Sequence, residues 1–569
     1  MTQTYQGIDA IDDSRADSAG ALDLVLTGAA ISQFRRFRPG WETVRLAGRL
    51  GRRPRKMIMR GSDLVRECGR IAVGASTLAP PKGDRRFGDP AWTGNPMLHR
   101  VLQAYLAAAQ TAETVVTDAH LDFRDDLRVR FLIDNLIDAA APSNNPILSP
   151  VAWKSAIDSG GTSLLRGGAN LTRDLAAAPR IPTMVEPSAF EVGRTVAVTP
   201  GAVVHRTAVL ELIQYTPQTD RVRTVPLLIV PPVINKYYAI DLAPGRSLIE
   251  YLVAQGQQVF VVSWRNPDAR HRSWGIDIYA QAILDALDAV LQIADVEQTH
   301  LAALCSGGII ATMLLAYLAE TGGIDRVASL ALAVAVLDQS RAGMASALID
   351  ERVAKMAVAA SARRGYLDGR SLAEVFAWLR PNDLIWNYWV NNYLQGKQPP
   401  AFDILYWNAD TTRMAAHLHR DFIDLAMTNA LVTPGAATVF GQPVDLSKVE
   451  VDSYVVAGAA DHLCPWQSCY ATTQLLGGKS RFVLSNSGHI AALVNPPSNP
   501  KATFQSSDDN IPNADEWLKT ARSQTGSWWP DYANWLAERS SEEKEAPALL
   551  GTPSFPALEA APGTYVFDR

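Results

Sequence analysis

Cysteine is scarce in this chain. Its 569 residues hold four, Cys68, Cys305, Cys464 and Cys469, too few for a disulfide scaffold. Such sparing use is expected in a reducing compartment, where a special thiol is reactive rather than structural. A basic excess is missing too. Lys and Arg number 53 against 58 Asp and Glu, for a net charge of −5, which argues against a chain bound as a whole to nucleic acid. No apolar run reaches the roughly 20 residues that cross a bilayer; Gly307 to Ala319 and Val327 to Leu337 are the longest. The start, MTQTYQGIDAIDDSRADS, has neither a basic beginning nor an apolar core, so no leader is read there and a cytoplasmic protein is expected. There is no internal repeat and no Walker or Rossmann glycine loop, which disfavours nucleotide chemistry. With 47% hydrophobic and 20% charged residues, global disorder is excluded. The length suits two to four domains of roughly 150 residues each.

The first thirty or so residues read as loosely ordered. A basic block follows. Between Arg35 and Arg60 it has ten Arg or Lys, one acid, Glu42, and the interleaved aromatics Phe37 and Trp41. It reads either as a contact for an anionic partner or as a solvated helical face. Residues 95 to 185 read as helical, with breaks at Pro142, Asn144-Asn145-Pro146 and Ser159-Gly160-Gly161. From about residue 200 strands alternate with helices: AVLELIQY, PLLIVPPVI, QQVFVVSW, HLAAL and VASLALAVAVLD, then SYVVAG and RFVLS. This predicts an α/β fold with a mostly parallel sheet covered on both faces. A helical segment rich in Trp, Tyr and Asn interrupts the alternation at about 341–440, where it is placed to act as a cap. The resulting division is a mainly helical N-terminal domain, 1–200, and a catalytic domain, 201–569, carrying the cap.

The sharpest chemical feature is Ala303-Leu304-Cys305-Ser306-Gly307-Gly308, between an apolar strand and an apolar helix. A nucleophile on a strained strand-to-helix turn needs small neighbours two residues to either side. Centred on Cys305 the pattern fits; centred on Ser306 it places Leu304 where the backbone is crowded. The helix N-terminus favours a thiolate, and the Ser306 N–H is placed to meet an oxyanion. The competing reading is a buried packing cysteine. A hydrolase-type triad runs nucleophile, acid, histidine. Asp461 follows SYVVAG and His489 follows RFVLS, so they fit as acid and base. Asp338, at the end of an apolar run, is the competing acid. His462 reads as structural, and His417 and His419 lack a ligand set for a metal. Cys464 and Cys469 read as packing residues. A second oxyanion donor is expected in the loop Pro231 to Tyr238, at the N–H of Ile234 or its neighbour, with Asn235 and Lys236 as ordinary loop polarity. A cysteine nucleophile turns a thioester into another thioester, which keeps the acyl group activated for transfer.

Several stretches resemble poly(3-hydroxyalkanoate) synthases: RRFGDPAW, PPVINKYYAIDLAPGRSLIEYLVAQGQQVFVVSWRNPD, ALCSGG, FAWLRPNDLIWNYWVNNYLQG, FDILYWNADTTRM, AGAADHLCPWQSCY, LSNSGHIAALVNPPSNPKA and the ending APGTYVFDR. The resemblance covers nearly everything after residue 80. It implies an N-terminal domain, an α/β-hydrolase fold with a cap, and polymerisation of (R)-3-hydroxyacyl-CoA with release of CoA. The family's nucleophile, acid and base fall on Cys305, Asp461 and His489. Its first box position is usually Gly, and here it is Ala303. The resemblance further implies no cofactor beyond CoA as part of the substrate, a homodimer, and attachment to polyester granules in the cytoplasm. In that setting the tryptophans of cap and tail have either a surface role or a packing one. Cap phrases and PWQSCY look like the synthases of medium-length acyl chains, while Ala491 is small where those enzymes carry a polar residue. The alternatives are a cysteine thioesterase or polyester depolymerase with the same triad, a non-catalytic granule protein, and a nucleic-acid binder using the basic block.

Overall fold

A computed structural model describes residues 40–569 except 177, 342–350, 462, 508 and 541. The reading of the first thirty residues, the start of the basic block and His462 lie outside the described residues.

The N-terminal region is helical. Helix α1 (Trp41–Gly51) and α2 (Pro54–Ala72) pack on α3 (Pro96–Ala119) and α4 (Phe123–Ala139). Asn95 starts α3 by accepting the N–H groups of Met97 and Leu98, with Pro96 at the first helical position, where its missing N–H costs nothing. Four of the block's basic residues are engaged inside this bundle. Lys56 and Arg60 each meet Asp118 at 2.7 Å, Arg53 donates to the Asp118 carbonyl at 2.6 Å, and Arg45 pairs with Asp125. A face that looked available to an anionic partner is thus in good part an internal clamp. After α5 (Thr162–Ala176) the chain becomes irregular until the sheet begins.

The sheet has eleven strands: β1 (Gly201–Arg206), β2 (Leu210–Tyr215), β3 (Leu227–Val230), β4 (Val259–Trp264), β5 (Thr299–Leu304), β6 (Val327–Ala333), β7 (Ser453–Gly458), β8 (Ser480–Ser485), β9 (Thr503–Ser507), β10 (Arg522–Thr525) and β11 (Glu559–Ala560). Their order is β10-β9-β8-β7-β6-β5-β3-β4-β2-β1-β11. The six strands from β4 to β8 run parallel; the others pair antiparallel at the edges. Every residue of β3, β4, β5 and β7 is buried, because helices cover both faces. Alternate side chains of β5 feed opposite cores. Leu301 and Ala303 pack with α6 (Ile276–Ala294) and α7 (Cys305–Thr321), while Ala302 and Leu304 face the side of Trp466–Leu475 and Trp529–Glu538. This is the expected α/β-hydrolase architecture. Strands β1, β9, β10 and β11 carry no strong alternating signal and escape the sequence reading; they lie toward the two ends of the sheet, and β11 pairs with β1 from the far end of the chain.

The described residues between β6 and β7 form the cap, with helices Glu351–Arg364, Gly369–Leu379, Asp403–Ala409 and Ala416–Thr428. Its Trp-rich stretch winds as wide π turns at Asn382–Trp386 and Trp389–Leu394. The N-terminal region grips those turns. Asn170 donates to the Asn392 carbonyl (3.1 Å), the Tyr393 hydroxyl donates to Asp174 (2.7 Å), and the Trp389 indole donates to the Asn144 carbonyl (3.0 Å).

Candidate active site

Strand β5 ends at Leu304, and α7 begins at the next residue. Between them Cys305 takes φ +48°, left-handed backbone that a non-glycine residue adopts only where the surroundings impose it. Gly307 makes that turn feasible: a Cβ there would lie 2.4 Å from the Pro231 carbonyl oxygen. The thiol sits at the positive end of the 17-residue α7, where negative charge is favoured.

Asp461 lies in the turn after β7, and its carboxylate is fully committed. Oδ1 accepts the N–H groups of Leu463 (2.8 Å) and Cys464 (2.9 Å), and Oδ2 accepts His489 Nδ1–H at 2.7 Å. That last bond leaves Nε2 for the thiol. Gly458, at the end of β7, allows the histidine loop to pass, since a Cβ there would lie 2.4 Å from the Ser487 carbonyl oxygen. The competing acid, Asp338, is held elsewhere, accepting from the Ser340 N–H (2.8 Å) and the Asn429 amide (3.0 Å).

Cys464 was expected to be mere packing, and the structure corrects this. The sulfurs of Cys305 and Cys464 and a ring nitrogen of His489 lie within 4.8 Å of one another. The spacing Asp461-x-x-Cys464 carries the signal in hindsight: the turn that lets Asp461 accept the Cys464 N–H also delivers the Cys464 side chain to the nucleophile. The Cys464 thiol donates to Cys305, which with His489 outweighs burial and lowers the Cys305 thiol to about 5. Burial works against a charged His489, but the charge and hydrogen bond of Asp461 and the Cys305 sulfur outweigh it and raise the ring to about 10. The hydrogen bond to Cys305 and burial together push Cys464 well above the usual thiol range. At neutral pH the site therefore holds a Cys305 thiolate, a His489 imidazolium and a neutral Cys464. Cys469 is a packing residue, as expected, its thiol reaching the Cys464 carbonyl at 3.8 Å.

The loop after β3 closes over the nucleophile. The Val233 N–H donates to Ser306 Oγ at 3.1 Å, and the Ser306 N–H is directed at the Cys305 sulfur. The next N–H, of Ile234, has no acceptor among the described residues. Asn235 bridges to Thr411 of the cap. Lys236 is more than loop polarity: it is buried, and its ammonium donates to the carbonyls of Tyr565 (3.3 Å) and Asp568 (2.7 Å). His419 is buried against Ser361 Oγ (2.7 Å) while His417 is exposed, so this pair does not converge on a shared ligand.

A second group of residues escaped sequence reasoning. His489 opens a short helix, α8 (His489–Leu493), whose last carbonyls have no partner within it. The tail supplies them. Trp528 Nε1–H donates to the Ala492 carbonyl (2.7 Å), Trp529 Nε1–H to the Leu493 carbonyl (3.2 Å), and the Ser527 hydroxyl to the Asn495 carbonyl. Trp517, Trp528, Trp529 and Trp535 are all buried. The tail tryptophans thus have the packing role, and two of them brace the histidine.

Residues 83–252 match the family profile described as the poly-beta-hydroxybutyrate polymerase (PhaC) N-terminus, and residues 236–496 match that of the alpha/beta hydrolase fold. The chain is 46% identical over 503 residues to poly(3-hydroxyalkanoate) polymerase 2 of Ectopseudomonas oleovorans, a match covering 88% of this chain and 90% of that one. It is 40% identical over 504 residues to the poly(3-hydroxyalkanoate) polymerase subunit PhaC of Cupriavidus necator, covering 87% and 85%. Among solved structures, an esterase from Exiguobacterium antarcticum aligns at 15% identity with a TM-score of 0.31, covering 60% of this chain and 99% of that one.

Proposed function

Because the chain belongs to the poly(3-hydroxyalkanoate) polymerase family, a family of polyester synthases, we propose that it polymerises (R)-3-hydroxyacyl-CoA through Cys305, with Asp461 and His489 completing the site. The observation that carries this is Cys305 against His489, itself bonded to the Asp461 carboxylate, on a strained turn at the start of a helix. In the first step the Cys305 thiolate attacks the thioester carbonyl. The bond to the CoA sulfur breaks, and the His489 imidazolium returns a proton to the departing thiolate as CoA leaves. The neutral imidazole then takes the proton from the 3-hydroxyl of a further unit. That oxygen attacks the Cys305 thioester, an ester bond forms, and the cysteine leaves as thiolate beside a recharged His489. Asp461 holds the ring in one tautomer and steadies its charge throughout.

The Ser306 N–H and the Ile234 N–H serve as the oxyanion donors. Val233 is the less suitable neighbour because its N–H is occupied by the Ser306 hydroxyl. No cofactor takes part, and CoA enters with the substrate. Growth at a granule surface, as a homodimer, fits the exposed apolar side chains Trp153, Ile157, Leu164 and Leu165 of the N-terminal helices. No helix of the described residues is long and apolar enough to cross a membrane.

Rapid mixing with (R)-3-hydroxyacyl-CoA, followed by acid quench and peptide mass mapping, tests the covalent step. The expected adduct is an acyl group on the peptide containing Cys305, absent from Cys305→Ala. Acylation elsewhere, or substrate turnover with Cys305→Ala, contradicts the assignment.

A further inference from the structure

A cavity of about 370 Å³ opens between the cap and the carboxyl end of the sheet, within the size range of small-molecule sites. Its lining includes Asn266, two residues past β4, together with Asp410 and Thr411. Thr411 bridges to Asn235, in the loop that supplies the proposed oxyanion donor. Cys305 stands at the same sheet edge, at the end of β5. In the order β5-β3-β4 the two strand ends are two spacings apart, about 10 Å.

The charges in this cavity are unusual for an acidic protein. Arg364, Arg370, Arg413 and Arg569 all line it. Arg364 is tied to Asp368 at 2.8 Å. Arg370 and Arg413 form no ion pair among the described residues, and the guanidiniums of Arg364 and Arg413 each lie 5.0 Å from the Tyr366 ring centre. The cavity's other aspartate, Asp410, accepts the Tyr238 hydroxyl at 2.8 Å, and its burial favours the neutral form. Two guanidinium forks, Arg370 and Arg413, without a carboxylate partner among the described residues and lining one cavity, suit a phosphate-bearing ligand. The Tyr366 ring, contacted by the guanidiniums of Arg364 and Arg413, holds both at the cavity by cation–π attraction. Acyl chain and polyester offer no phosphate. The nucleotide end of CoA does.

Resting on the polymerase reading above, we propose that Arg370, Arg413 and Arg569, with Tyr366, hold the phosphorylated nucleotide end of the acyl-CoA substrate, from which the pantetheine arm crosses to Cys305. The site then sorts thioesters by what carries the acyl group, independently of acyl length.

The test compares (R)-3-hydroxyacyl-CoA with the same acyl group on pantetheine, for the native chain, Arg370→Gln and Arg370→Gln/Arg413→Gln. The ratio of kcat/KM for the CoA thioester to that for the pantetheine thioester should fall at least tenfold in the double variant, through KM, and by less in the single one. The 3′-dephospho-CoA thioester separates the ribose phosphate from the diphosphate as the group held. Free CoA binding, measured by calorimetry on the full chain, should weaken at least tenfold in parallel. An unchanged ratio with unchanged CoA affinity overturns the proposal. Should the native chain form no polymer, the polymerase reading fails, while calorimetry still decides the CoA site. Arg370 is exposed, so the single variant carries the test even if loss of Arg413 unsettles the cap.

Discussion

Replacing Cys464 by alanine removes one hydrogen bond from the Cys305 thiolate and leaves the Asp461–His489 pair in place. Cys464 remains protonated across the working pH range because its own thiol is pushed well above the usual value, so in the native protein it acts as a constant donor. A hydrogen bond to a charged group contributes about 1.5–3 kcal/mol, and one pKa unit corresponds to about 1.4 kcal/mol. The midpoint of Cys305, about 5 in the native site, should therefore rise by about one to two units. It should stay below that of a free thiol, because His489 still faces it. The assay is the rate of alkylation by iodoacetamide against pH, which follows the thiolate fraction. Cys464→Ser keeps a donor and should return the midpoint toward the native value. An unchanged or lowered midpoint in Cys464→Ala would refute the hydrogen-bonding role. The same loss in serine and alanine variants would point to packing alone.

Asp461→Asn should cut kcat by about a thousandfold or more, by freeing the histidine tautomer, as loss of the acid does in other triads; a loss under tenfold would contradict the role given to Asp461. Cys305 acylation should be flat between about pH 5 and pH 10. Below that window the thiolate is protonated, and above it the imidazolium that protonates CoA is lost; stopped-flow CoA release checks both limbs. Gly307→Ala should abolish activity, since its Cβ would meet the Pro231 carbonyl, and the thermal midpoint shows whether folding fails with it. Trp528→Phe keeps an aromatic ring but leaves the Ala492 carbonyl unpaired. It should destabilise by about 1–3 kcal/mol and lower kcat more than it raises KM, read by denaturant titration and steady-state kinetics.

The parts of this protein that announce themselves in the sequence are local. β5, the turn at Cys305 and α7 are contiguous, so small residues around one nucleophile suffice to identify them. Asp461 and His489 each follow an apolar strand, and their chain order completes the pattern. Pairings that close only in three dimensions are less legible. In AGAADHLCPW the Asp461-x-x-Cys464 spacing is visible, but only the folded turn shows the carboxylate accepting the Cys464 N–H and bringing that thiol against Cys305. The tail tryptophans are a similar case: 36 residues separate Trp528 and Trp529 from the carbonyls they satisfy. Edge strands such as β11 form because a distant partner presents an open ladder, a cause that no local window contains. In the basic block the charge is visible but its partners are not, since Asp118 and Asp125, which engage Arg45, Arg53, Lys56 and Arg60, lie more than fifty residues away.

The most direct test of the central claim is CoA release from (R)-3-hydroxybutyryl-CoA and (R)-3-hydroxyoctanoyl-CoA, with the product sized, for the native chain and Cys305→Ala. High-mass polyester from the native chain, with neither polymer nor CoA release from the variant, is the predicted result, and the faster substrate sets the acyl-length class. CoA release yielding only free hydroxy acid, or polymer formed without Cys305, would contradict the account.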